Sequence, residues 1–566
     1  MTRILTFVSM AAAVLFQGCA CTPHEDSPAS PIELTLPRAV TSAVAEITEP
    51  TLSEVVAQLA DDALAGRGPA SEGDRATQQF IADTLQRAGF SPGGPGGSWL
   101  QPIELVGITP NMPETWSFRT ESGEVELAFW DEYVGVSGPQ QEQVAIDESE
   151  VVFVGYGITA PEEDWDDFKG ADLEGKVLLM LNNDPDWDPE LFAGRRRLFY
   201  GRWTYKYESA ARQRAAAAVI IHTEPSAGYP FQVVQAGWTG EQFELPAGGA
   251  ERAGFEGWVS ESAARRIATL GGHDLDELIA SARSRDFRPV PLGLSTSIRF
   301  NSTIDRSTES ANVLGLLPGS DPELRDEVVV YTAHHDHLGV GEPDQAGDTI
   351  YNGARDNASG VATVLGVARA FAALDPAPRR SILILLVAAE EQGLLGSRYY
   401  AAHPTIHPGN IAANINVDSP NIFGRTRDVA VIGRGKSSLE DVLESAAALQ
   451  QRVVVDEPFP DKGYYYRSDQ FNFAKIGVPA LYFKAGTEFL GRPVEWGRQV
   501  EDDWRATRYH RPGDEVYEDW DFSGMVEDTR LAFLVGLLVA NADALPTWRP
   551  GDEFESVRRQ ALADAP

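Results

Sequence analysis

Cysteine is nearly absent from this chain. Cys19 and Cys21 are the only two in 566 residues, so no disulfide can staple the folded body. Stability must come from buried apolar area and from any metal the fold holds. Positive charge is also scarce. Lys and Arg total 47 against 84 Asp and Glu, a formal net charge of −37. So acidic a surface repels nucleic acid and anionic membrane at long range. The apolar run Ile4 to Phe16 is too short to span a bilayer comfortably as a permanent helix. Internal repeats are missing too, which excludes a solenoid or a propeller.

What is present at the N-terminus reads as an export signal over residues 1–18, with Arg3 as the positive start. The run Leu15-Phe16-Gln17-Gly18-Cys19 resembles a bacterial lipoprotein cleavage box, which implies acylation at Cys19. Phe16 stands where Leu is usual, and ordinary cleavage nearby would instead release a soluble product. Ala20 after the cysteine, by the same resemblance, implies an outer-membrane lipoprotein of the cell envelope facing the periplasm or cell surface. Residues 19–45 are rich in Pro, Ser, Thr and Ala and are expected to be a flexible tether.

A 566-residue chain is too long for one hydrophobic core. Leu52, Val55, Val56, Leu59 and Leu64 recur at helical spacing, and a second helix is expected over about 71–88, ended by Gly89. Strands are expected at 150–157 and 175–181, and a helix-to-strand passage at 215–222. Farther on, apolar runs at 328–333, 381–389, 411–417 and 478–483 alternate with helical segments such as 359–374. Near-continuous apolar runs suit a mainly parallel sheet flanked by helices, an α/β fold.

In such sheets ligands gather beyond the carboxyl ends of the strands. There the sequence sets His334-His335-Asp336-His337, Arg355-Asp356-Asn357, Glu390-Glu391 and Asp418, with Tyr509-His510 much later. Each alone has a bland reading. Glu pairs decorate solvated helices, the histidine cluster fits a surface loop or a single structural site, Asp418 fits a strand-end cap, and His510 fits an ordinary histidine. Together they form a mixed nitrogen and oxygen set suited to zinc. One carboxylate can bridge two ions about 3.5–4 Å apart, which lower the pKa of the water between them.

The segments AHHDHLG (333–339), NGARDNASG (352–360), AAEEQGLLGSRYY (388–400), NINVDSP (414–420), YRSDQFNFAKIGVPALYF (466–483) and RYHRPGDE (508–515) resemble the zinc exopeptidases that include aminopeptidase Y, bacterial leucyl aminopeptidases, glutamate carboxypeptidase and transferrin receptor. The resemblance implies two Zn2+ ions, one on His334 and Asp418, the other on Glu391 and His510, with Asp356 bridging. It implies Glu390 as general base, Asp336 orienting His334, and Tyr509 donating to the oxyanion. The implied activity is an aminopeptidase acting on peptides. A carboxypeptidase or glutaminyl cyclase on the same frame is the alternative, with Arg355, Arg467 and Arg508 as candidate cations for a terminal carboxylate. A receptor-like binding protein is a third reading, disfavoured by the intact ligand set. Two departures stand out: Gln470 where many relatives have His, and Arg355 where they often have Asp. Two aromatic clusters, 199–207 and 464–466, either line a substrate cleft or fill cores.

The chain thus divides into a signal (1–18), a tether (19–45), a peptidase body (46–134 and 291–550), an inserted β-rich module resembling a protease-associated domain (135–290), and a C-terminal tail (551–566). The only membrane link expected is the N-terminal lipid.

Overall fold

Four parallel strands make the centre of the molecule. In the computed structural model, which describes residues 36–248 and 251–565, Val328–His334 pairs in parallel with Ser381–Val387 on one side and Ile411–Asn416 on the other. Ile411–Asn416 in turn pairs in parallel with Ala480–Ala485. Every residue of the first three strands is buried, which is why their sequences read as unbroken apolar runs. The two faces still alternate. Tyr331 donates its hydroxyl to the Ala532 carbonyl in helix Ser523–Asn541 and packs on Phe371 of helix Ser359–Ala372. Val328 and Val330 point the other way, into a core shared with Tyr400 and Phe473 of helices Leu395–Ala402 and Gln470–Lys475.

Antiparallel strands close this sheet. Asp428–Val431 pairs with Ala480–Ala485, and the end of Val290–Leu317 pairs with Ser381–Val387. Val290–Leu317 runs for 28 residues. Its start pairs with Gln143–Phe153, and residues 301–313 pair with Leu100–Asn111, so one sheet continues from the peptidase strands into the segment 135–290. That segment holds its own parallel run, Gln143–Phe153, Val177–Leu181, Ala217–His222 and Phe255–Ser260. Helices Trp203–Arg212 and Glu261–Leu270 lie within it, so it carries more helix than its β-rich sequence pattern implies.

The expected early helices are Glu49–Leu59 and Glu72–Arg87. Thr48 and Ser71 cap them by accepting hydrogen bonds from the Thr51 and Asp74 amides. Gly89, at φ +94°, follows the second in the left-handed region that favours glycine. Two expectations are corrected. The supposed tether ends in a helix, Arg38–Ala45, whose Ala43 is buried and which contacts helix Ser359–Ala372. The supposed tail contains helix Glu555–Ala563, where Arg558 is buried and donates to the Pro408 carbonyl. In both, tertiary contacts supply order that local composition does not reveal. The signal and Cys19 lie outside the described residues. Among the described residues no helix is long and apolar enough to cross a membrane.

Removing side-chain volume from the central strands should be costly, because they are packed on both faces. Leu385→Ala is expected to lower unfolding stability by about 2–5 kcal/mol, read from urea denaturation. A pH dependence follows from Glu256, buried in strand Phe255–Ser260. Burial, with Glu244 and Glu208 nearby, pushes its carboxyl up from 4.5 to about 7 against the pull of Arg252. Its favourable contribution is complete below 4.5 and is lost as pH rises through about 7. Glu256→Gln should make the fall in melting temperature over that window shallower than in the wild type.

Candidate metal centre

Because the central strands are parallel, their carboxyl ends meet along one edge. His334 ends its strand there, Glu390 and Glu391 follow Ser381–Val387, and Asp418 follows Ile411–Asn416. Asp356 lies in the turn Ala354–Ala358 that leads into helix Ser359–Ala372. His510 arrives from the segment after helix Trp496–Thr507, at a left-handed φ of +54°. The five residues proposed as metal ligands and Glu390 therefore converge, although 176 positions separate His334 from His510.

Asp356 sits at the middle. Its Oδ1 is 3.3 Å from His334 Nε2 and its Oδ2 is 3.5 Å from His510 Nε2. Asp418 Oδ1 lies 4.0 Å from His334 Nε2, and Glu391 Oε2 lies 2.9 Å from His510 Nε2. Three groups of donors fall within 4.8 Å of one another: His334, Asp356 and Asp418; His334, Glu390 and Glu391; and His337, Asp356 and Glu391. His510 Nε2 and His337 Nε2 are buried without an aligned hydrogen-bond partner. Orphaned imidazole nitrogens facing a surplus of carboxylates are what divalent cations would satisfy.

The electrostatics divide the carboxylates. Burial raises the pKa of Asp356, but His334 and His510 outweigh it and hold it well below the ordinary range. Glu391 is held at about 2, since His510 overcomes its burial. Glu390 goes the other way. Burial pushes it well above the ordinary value, the His334 imidazole opposes this, and Glu391, Asp469 and Asp418 reinforce it. It is the carboxyl in this group best suited to carry a proton.

Supporting groups surround this set. Asp336 accepts hydrogen bonds from the Glu390 and Glu391 amides at 3.0 and 3.3 Å. Its carboxylate is 3.7 Å from His334 Nδ1, while its own carbonyl is nearer, at 3.3 Å. It thus orients the glutamate pair more directly than the imidazole. Tyr509 stacks beside His510, ring centroids 4.0 Å apart, and burial raises its hydroxyl pKa well above normal. Arg355 forms a wall, paired with Glu501 at 2.6 Å and lying over Trp504. Gln470 accepts from the Asn416 amide and donates to the Tyr465 carbonyl, so it is occupied in packing.

Three contributors are not assigned by sequence reasoning. His337 donor Nδ1 lies 2.8 Å from Glu391 Oε1. Asp514 accepts from the Arg355 and Asp356 amides and fixes the bridging turn. Arg67, fully buried, donates to the carbonyls of Leu59, His335, Asn352 and Gly353, and so ties both histidine and aspartate loops together. His337 and Asp514 lie inside the quoted motifs; Arg67 carries no local signal. A cavity of about 170 Å³ opens onto the centre. Of the two aromatic clusters, Trp203 and Tyr464 line it, while Tyr205, Tyr207, Tyr465 and Tyr466 are buried in cores.

Residues 312–534 match the family described as Peptidase family M28, and that segment contains all five expected metal ligands. A probable zinc metalloprotease of Pyrenophora tritici-repentis (strain Pt-1C-BFP) is 28% identical over 289 residues, covering 45% of this chain and 55% of its own. A probable leucine aminopeptidase 2 of Aspergillus oryzae (strain ATCC 42149 / RIB 40) is 24% identical, covering 45% and 51%. The chain thus spans about half the length of these curated relatives. The solved aminopeptidase from Aneurinibacillus sp. strain AM-1 superposes with a TM-score of 0.53 at 17% identity, over 91% of this chain and 97% of that one, and so shares the fold. Peptidase family M28 is thus the family that residues 312–534 resemble.

His337 offers a direct check on the centre. His337→Ala is expected to weaken binding of one zinc equivalent about 10- to 100-fold, measured by competition with a chromogenic chelator. Unchanged zinc affinity would show that the ring only packs against Glu391.

Proposed function

We propose that this protein is a two-zinc exopeptidase, an aminopeptidase that hydrolyses the N-terminal peptide bond of its substrates. The carrying observation is that the two oxygens of Asp356 face different histidines, His334 and His510. His334 and Asp418 would complete one metal site, and Glu391 and His510 the other, with Asp356 common to both. Zinc bound there supplies Lewis acidity and lowers the pKa of the attacking water.

The remaining chemistry falls to the chain's own groups. Glu390, held by Asp336 through its backbone, takes the proton from the attacking water and passes it to the leaving amine as the C–N bond breaks. Tyr509 keeps its hydroxyl proton and donates a hydrogen bond to the oxyanion as it develops. The carboxylates at this edge also favour a substrate with a free ammonium group over one with a blocked end. A carboxypeptidase is the second reading, favoured by the cations Arg202, Arg467 and Lys484 in the cavity wall. We further propose export as a Cys19-lipidated envelope protein, on the pattern of residues 1–19.

The test compares purified protein on aminoacyl chromogenic substrates with N-acetylated and C-amidated peptides. Hydrolysis of unblocked and amidated peptides, lost to chelator and restored by zinc, is expected. Cleavage of the acetylated peptide alone would overturn the aminopeptidase assignment. Glu390→Gln should keep its zinc, by elemental analysis, and lose about 10³-fold in kcat, as expected for removal of an acid–base group.

A further inference from the structure

Acidic residues outnumber basic ones 84 to 47 in this chain, so a cation that lacks an acidic partner is notable. At the cavity wall Arg355 is paired with Glu501 at 2.6 Å and Arg505 with Asp502 at 2.7 Å. Arg202 and Arg467 line the same cavity and form no ion pair among the described residues. Instead their guanidinium groups lie over aromatic rings: Arg202 is 5.5 Å from Trp203, and Arg467 is 5.2 Å from Tyr229 and 5.7 Å from Tyr464. Arg467 donates from Nη1 to the Lys462 carbonyl at 3.3 Å and also hydrogen-bonds the Tyr509 side chain. Arg202 and Arg467 thus keep donors of their planar forks free of any acidic partner among the described residues.

The two arginines come from distant parts of the sequence and line one cavity. Arg202 follows the turn Phe199–Gly201 in the segment 135–290, and Arg467 follows the turn Tyr464–Tyr466 in the peptidase body. Burial brings the Arg202 pKa down to about 10, and Arg467 adds to that depression, whereas Tyr509, Tyr229 and Tyr464 outweigh burial at Arg467 and hold its guanidinium above the ordinary value. Glu390 and Tyr509 line the same cavity, so both arginines share it with the reacting centre. Two desolvated like charges beside a cavity are a costly arrangement unless an anion shares them. A carboxylate accepts two parallel hydrogen bonds from one guanidinium and can span two.

We propose that Arg202 and Arg467 form a carboxylate-recognition site that makes this a peptidase for carboxylate-bearing peptides. The carboxylate comes either from an acidic side chain or from the free C-terminus of a short peptide. The proposal rests on the exopeptidase reading for its consequence in turnover, but binding tests it separately.

Three probes divide the sources: leucyl-leucine, leucyl-leucinamide and glutamyl-leucinamide. Calorimetry on full-length, zinc-loaded Glu390→Gln protein measures affinity without consuming the peptide, and wild-type kcat/KM is measured on the same three. The expected result is at least tenfold tighter binding of a carboxylate-bearing peptide than of leucyl-leucinamide. Preference for leucyl-leucine assigns the C-terminal carboxylate, and preference for glutamyl-leucinamide assigns the side chain. Placing Arg202→Gln or Arg467→Gln in the same background should cut that preference at least fivefold. Arg202→Lys and Arg467→Lys, which keep charge and most of the volume, should cut it by a smaller factor and guard against misfolding. Equal binding of the three peptides, or a preference that survives all four variants, overturns the carboxylate site. A preference without any wild-type hydrolysis leaves the carboxylate site standing and removes the exopeptidase reading. Hydrolysis without a preference does the reverse.

Discussion

The constraint on which this structure turns is the crowding of negative charge around Asp356. Glu390, Glu391 and Asp418 share one edge of the sheet with it, and Asp336 and Asp514 lie just behind. Carboxylates at this spacing and burial repel one another strongly unless cations or protons intervene. The imidazoles of His334 and His510 offset part of that charge, and their orientation toward opposite oxygens of one carboxylate divides it into two halves. A pair of divalent ions would complete the neutralisation. Glu390 stays apart from this division, its carboxyl pushed upward by burial and by Glu391, Asp469 and Asp418 against the pull of His334.

Holding such a cluster together takes a rigid frame. The parallel strands supply it, since a parallel sheet covered on both faces sends all its strand ends one way. The turns beyond the strands are then fixed by buried polar contacts. Arg67 fastens the His335 carbonyl to those of Asn352 and Gly353, and Asp514 receives the amides of Arg355 and Asp356. The long strand Val290–Leu317 extends the same sheet into the segment that brings Arg202 and Trp203 to the cavity. One continuous hydrogen-bonded sheet thus runs through both the reacting edge and the segment that adds Arg202 and Trp203 to the cavity lining.

Much of this was legible beforehand. Apolar runs at 328–333, 381–389, 411–417 and 478–483 mark strands because burial on both faces removes polar alternation. The ligand candidates were legible for a related reason: each follows such a run directly, and chemistry in this kind of sheet collects there. Where composition and order diverged, packing was the cause. Residues 38–45 look like linker yet form a helix against Ser359–Ala372, and the aromatic clusters at 199–207 and 464–466 each give a ring to the cavity and the rest to cores. Strand or helix spacing does not say which ring faces which way when neighbours come from elsewhere in the chain.

By itself, then, the amino-acid sequence determined the α/β alternation, the strand ends and the residue types able to bind metal, because these depend on local periodicity and short-range chemistry. Tertiary structure alone decided that His337 joins Glu391 and that Arg67 and Asp514 brace the turns, and it set the distance at which His510 meets the Asp356 carboxylate. It also decided that Arg202 and Arg467 line one cavity. Such encounters are set by how buried surfaces stack over separations of hundreds of residues, and no local pattern records them.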